Sequence, residues 1–174
     1  MKDFMRSLLT LIILLAVPIH VLEVYVDGKP LLTMPVLPRD TFTLSFTHSV
    51  ERTPVIDCYT ISDDYAFILT ETFFKSLGAG SPSKPENGTF KVEDGWFKIE
   101  GINSRMDKIL IRVSILTNQT FTFRGRVLRF ALLAPDGGLV EINIGSYPLI
   151  LYLLKIGLST YSGSPPPDHQ AYYV

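Results

Sequence analysis

Cysteine is nearly missing from this sequence. Cys58 stands alone among 174 residues, so no intrachain disulfide can form. Within an apolar stretch a lone cysteine behaves as a small buried hydrophobe. A domain of this length needs no disulfide, so the single cysteine leaves the compartment open. Histidine is scarce as well. His20, His48 and His169 lie far apart, and no His or Cys pair has the spacing of metal ligands. No loop carries the alternating carboxylates of a dedicated calcium site. There is no excess of either charge: 16 basic and 17 acidic residues are interspersed, for a net charge of -1. That excludes the basic patch a nucleic-acid surface requires. A phosphate-binding loop is also missing. Gly78-Ala79-Gly80 runs into Ser-Pro-Ser and a polar stretch, where a dinucleotide fingerprint would open a helix. These glycines read as a tight turn needing positive φ. No cofactor and no metal is expected.

Long apolar runs are present, at both ends. Lys2 and Arg6 form a short basic head, offset by Asp3, and Leu8 to Val17 follow with only Thr10 interrupting. This is the layout of a signal sequence, but no small-x-small cleavage site follows. We expect an uncleaved signal anchor or transmembrane segment over residues 1–21. The basic head would stay inside and the domain outside the cytoplasm. At the other end, residues 147–160 are apolar except for Lys155. They are too few for an ordinary span and predict a short helix, packed on a sheet or lying in the bilayer interface. Residues 161–174 contain Pro165 to Pro167 and are expected to be a disordered or extended tail.

The body, residues 22–146, has strand periodicity throughout. Its centre is Thr41 to His48, where Phe42, Leu44, Phe46 and His48 alternate with polar residues. Asp27-Gly28 and Asp94-Gly95 each separate two apolar runs and predict hairpins. The second would pair Val92 with Phe97 and Phe90 with Ile99, leaving Lys91 opposite Lys98 on a wet face. Pro30 places its strand at an edge. Residues 55–61, 66–74, 109–116, 120–124, 127–133 and 139–144 supply further strands. About nine strands with frequent Gly and Pro punctuation predict an all-β, antiparallel sandwich or partly open barrel. Asn87 and Asn118 head glycosylation-acceptor triplets at predicted turns.

Polar groups gather where the central strand ends, in His48, Ser49, Glu51 and Arg52, which is where sites tend to sit. In the strand at 66–74, Phe67, Leu69, Glu71 and Phe73 share a face by alternation. Glu71 would then lie among apolar neighbours and need a partner, with His48 and Arg52 the candidates. The glycine turn, Gly78 and Gly80, would complete a binding or interface rim. A hydrolase with His48 as base, oriented by Glu71 or Asp57, is a second reading. Adjacent strand residues face opposite ways, however, so His48 and Ser49 do not naturally meet. No catalytic residue is assigned.

One set of motifs has a counterpart. Phe46-Thr47-His48-Ser49-Val50, then Pro54, then Asp57 with Tyr59, then Gly78 to Pro82 resembles domain-of-unknown-function family 1850, over about Leu22 to Ile144. The resemblance implies a small exported or membrane-associated domain, often encoded beside or fused to TRAP-type transporters of the TAXI class. It implies no activity and no catalytic residues. The expected function is a membrane-anchored extracytoplasmic accessory or binding module. Its partner would be a TRAP membrane subunit or the solute-binding protein. A purely structural partner domain is the blander alternative.

Overall fold

The computed structural model describes residues 2–78 and 88–161. The chain forms two compact units, an all-β unit from His20 to Gly145 and a helical unit from the two chain ends.

In the helical unit, α1 spans Lys2–Ala16 and α2 spans Leu149–Tyr161. Asp3 lies in the first turn of α1, where a negative charge meets the positive end of the helix dipole. Thr10 fits the apolar run because its hydroxyl donates to the Arg6 carbonyl at 3.0 Å. The helix stops at Ala16 because Pro18 drives Val17 out of the α region. The expected segment over residues 1–21 is therefore helical only to Ala16, and Pro18 opens a strand. No described helix is long and apolar enough to cross a membrane. The predicted apolar helix at 147–160 exists as α2.

The β unit is a sandwich of two antiparallel sheets. Its strands are β1 (Pro18–Val26), β2 (Lys29–Pro35), β3 (Thr41–Thr47), β4 (Pro54–Ile61), β5 (Phe67–Phe74), β6 (Thr89–Glu93), β7 (Trp96–Met106), β8 (Lys108–Arg112), β9 (Thr120–Phe123), β10 (Arg126–Arg129) and β11 (Leu139–Pro148). One sheet has the order β2-β1-β11-β8 and the other β10-β9-β3-β4-β5-β7-β6. Leu139 donates to the Asp27 carboxylate and accepts from the Asp27 N–H, so the start of β11 meets the end of β1. As expected, β2, with Pro30, is an edge strand.

Three hairpins turn on adjacent left-handed residues: Asp27-Gly28 (φ 47° and 76°), Asp94-Gly95 (50° and 76°) and Arg124-Gly125 (46° and 76°). Two positive φ values match the twist of the flanking strands. The β6–β7 register is the predicted one, with Phe90 opposite Ile99, Lys91 opposite Lys98 and Val92 opposite Phe97. The strand expected over 109–116 ends at Arg112, and Ile115 and Leu116 are exposed in the turn that follows. The strand expected over 127–133 ends at Arg129 and passes into a single 3₁₀ turn, Phe130–Leu132.

Leu22 and Val24 of one sheet and Phe42, Tyr59, Phe67 and Phe121 of the other belong to one buried core. Phe67, Phe121, Phe123 and Phe130 are its largest fully buried side chains. Phe42 stacks on Tyr59 at 4.9 Å between ring centres and meets Phe67 edge-on at 5.3 Å. A smaller cluster of Val55, Phe74 and Ile99, with Phe46, Phe90 and Phe97 against it, extends the apolar face of the large sheet toward β6.

β5 holds a phase change that alternation cannot show. Leu69 pairs with Tyr59 and Glu71 with Cys58, which leaves Thr70 as an extra residue in β5. Its hydroxyl donates to the Cys58 carbonyl at 3.0 Å. Before this bulge Phe67 and Leu69 face the core; after it Thr72 and Phe74 do, and Glu71 and Phe73 turn to the outer face.

Candidate functional site

The predicted rim begins one residue past β3. His48 N–H donates to the Thr53 carbonyl at 2.8 Å, and Arg52 N–H donates to the His48 carbonyl at 2.9 Å. The loop closes because Arg52 accepts a left-handed φ of 55°. Within it, Glu51 N–H donates to His48 Nδ1 at 3.2 Å. A neutral ring accepting there carries its proton on Nε2.

The Glu51 carboxylate reaches across to the segment after β5. Ser76 Oγ donates to Glu51 Oε2 at 2.8 Å, and Gly78 N–H donates to Ser76 Oγ at 3.2 Å. A Cβ on Gly78 would fall 1.8 Å from Glu51 Oε1, so glycine leaves room for the carboxylate. The structure thus brings His48, Glu51 and Gly78 into one connected loop pair, with Ser76 as the hinge between them. Ser76 carries no sequence signal, being one polar residue in a short link. Ser49 and Arg52 are exposed beside the loop. Gly80 lies outside the described residues, as does Asn87.

Glu71 is not part of this group. The Thr70 bulge sets it on the outer face, where Lys98 Nζ approaches its Oε1 at 3.0 Å and Glu100 Oε2 at 3.2 Å. Lys91 bridges to the other oxygen of Glu100. Lys91 and Lys98, opposed in the register, are therefore separated by a shared carboxylate, and Lys98 is only 14% exposed where a wet face was expected. These partners raise the Lys98 pKa and lower that of Glu100, Lys91 first. Cys58 sits opposite Glu71, and burial followed by that negative charge pushes its thiol pKa up, which keeps it unreactive.

Asp57 lies on the opposite, inner face, directly across from Leu44. Its Oδ1 accepts the Thr72 hydroxyl at 2.8 Å. Burial raises its pKa and the Thr72 bond only partly offsets that. The same burial drives the Tyr59 phenol far above its ordinary value. Asp57 is held by Thr72 and Glu71 by Lys98, so neither carboxylate orients the His48 ring. The described residues contain no cluster of His, Cys, Asp or Glu able to hold a metal.

No curated protein and no solved structure gives a match. The family model described as a domain of unknown function, DUF1850, matches residues 42–130, from β3 to the 3₁₀ turn, about half of the chain. That span contains the whole of the His48-to-Gly78 loop pair and all seven strands of the large sheet, β3 lacking only Thr41. The chain belongs to the DUF1850 family.

Proposed function

We propose that this protein is a membrane-anchored accessory or binding module whose β unit lies on the extracytoplasmic side. The observation that carries this reading is the surface of the helical unit. Phe4 is 72% exposed and Leu9 and Ile13 are each 60% exposed, with Leu8, Leu11, Ile12 and Leu14 close behind across a broad apolar face of α1. In α2, Leu151 and Leu154 are more than half exposed. A helix with so broad an exposed apolar face is at home at a lipid surface or against a protein partner, not in water. Fully burying one such side chain contributes roughly 1.5–3 kcal/mol, so this surface as a whole favours removal from water strongly. At 15 residues, α1 enters a bilayer without crossing its full hydrocarbon thickness. Lys2 and Arg6 suit a helix that stays at the bilayer interface, among anionic headgroups.

The partner we propose, from the family resemblance, is a TRAP-type transporter of the TAXI class, through its membrane subunit or solute-binding protein. The His48–Glu51–Gly78 loop pair supplies the contact rim. Purification of the C-terminally tagged full chain from membranes in mild detergent tests this. Recovery of a transporter membrane subunit at near-equal amounts, reduced by His48→Ala with the unfolding midpoint kept, is the expected result. Recovery of the chain in the soluble fraction without detergent would sink the anchor, and purification alone from membranes would sink the partner.

A further inference from the structure

A second site lies on the outer face of the large sheet. Ile56, Phe73, Glu93, Asp94, Trp96 and Lys98 line an open cleft of about 390 Å³, the size of a small-molecule site. The residues come together through the sheet register. Ile56 pairs with Phe73, Phe73 with Lys98, and Glu93 with Trp96 at the end of the β6–β7 hairpin. Two walls are aromatic and one is aliphatic.

The charges in the cleft are unequal in availability. Lys98 is already held by Glu71 and Glu100, so it contributes its stem and little free charge. Glu93 and Asp94 are exposed at the turn, and neither side chain has an ion pair or hydrogen bond among the described residues. Both aromatic rings carry an ammonium over them: Lys98 Nζ stands 5.2 Å from the Phe73 ring centre and Lys75 Nζ 4.5 Å from that of Trp96. Among the described residues the Lys75 ammonium has no carboxylate partner and rests on the Trp96 ring, so it is an occupant that another cation can replace. A ring face flanked by uncompensated carboxylates attracts a cation through its quadrupole and through Coulomb attraction together. Apolar walls favour a cation that carries methyl groups over a hydrated metal ion.

We propose that this cleft binds a small organic ammonium ion, seated on Trp96 and Phe73 and neutralised by Glu93 and Asp94, with Lys75 as the built-in competitor. The site lies entirely within the β unit and does not depend on how the chain is anchored or on any transporter.

Trp96 is the only tryptophan of the chain, so its fluorescence reports on this cleft alone. The full-length protein in mild detergent is titrated with choline chloride, with sodium chloride at matched ionic strength, and with the neutral isostere 3,3-dimethylbutan-1-ol. A saturable change with choline, at least tenfold weaker with the alcohol and absent with sodium, is the expected result. The E93Q/D94N double variant should weaken choline binding at least tenfold, while K75M should tighten it several-fold. All three positions are exposed, and an unchanged thermal unfolding midpoint verifies the fold. Equal response to choline and its neutral isostere, or to sodium, would overturn the proposal. So would unchanged affinity in the acid-free variant. Loss of choline binding in K75M would make Lys75 a part of the site rather than its competitor and overturn the assignment.

Discussion

On the inner face of the large sheet Asp57 stands among Leu44, Tyr59 and Val55 with a neutral hydroxyl as its partner. On the outer face Glu100 stands between two lysines. Both acids come from neighbouring parts of one sheet, yet their pKa values move in opposite directions, up for Asp57 through burial and down for Glu100 through Lys91 and Lys98. A carboxylate's preference is set by whether its surroundings replace the water it lost, not by how many residues touch it. The inner face is where apolar packing decides and a charge is tolerated. The outer face is where ion pairs decide and apolar groups, such as Phe73 and Trp96, are left for other uses.

The largest effect that can break this contrast is in the aromatic core. Phe121→Ala should cost about 3–5 kcal/mol, while its outward neighbour Thr122→Ala should stay within about 0.5 kcal/mol. Urea unfolding measures both, and equal losses would mean the faces are not distinct. Next comes the inner acid. Thr72→Val removes the hydroxyl that Asp57 accepts and should cost about 1–3 kcal/mol at neutral pH. The sign of the pH dependence follows from the raised pKa. Below the ordinary value of 3.8 both folded and unfolded chains are protonated; as pH rises toward the higher native value, the unfolded chain loses its proton first, and stability falls. Asp57→Asn should flatten that fall, seen as unfolding midpoints that converge at low pH and separate above it. The smallest effect belongs to the outer ladder. Glu100→Gln should lower the midpoint less than Thr72→Val does, and the difference should shrink in high salt, because exposed pairs are screened. Its pH slope has the opposite sign: a lowered pKa contributes stability that is lost as pH falls.

Much of the β unit was legible because its signals are local. Asp27-Gly28 and Asp94-Gly95 specify turns through φ alone, and the clean alternation of Phe42, Leu44 and Phe46 specifies a strand and its buried side. The end of the 109–116 strand was not legible. Ile115 and Leu116 are apolar, yet Gln119 Oε1 takes the Ser114 N–H at 2.9 Å and Thr117 N–H bonds back to the Ser114 carbonyl, turning the chain there. The rim was half legible. His48 and Glu51 announce themselves at a strand end and Gly78 in a glycine turn, but Ser76 joins them only in space. Glu71 was misplaced for a single reason, the uncounted Thr70. The aromatic cleft was invisible, because Ile56, Phe73 and Trp96 are each ordinary strand residues until register sets them side by side.

Thr70 has a consequence of another kind. It works like a one-letter insertion in a reading frame. In the first half of β5 the odd-numbered residues face inward, and the insertion turns the odd-numbered residues of the second half to the opposite side. One strand therefore contributes Phe67 and Phe74 to the interior and Glu71 and Phe73 to the exterior, so the ion ladder and the cleft wall both exist because of a residue that has no register partner in either neighbouring strand.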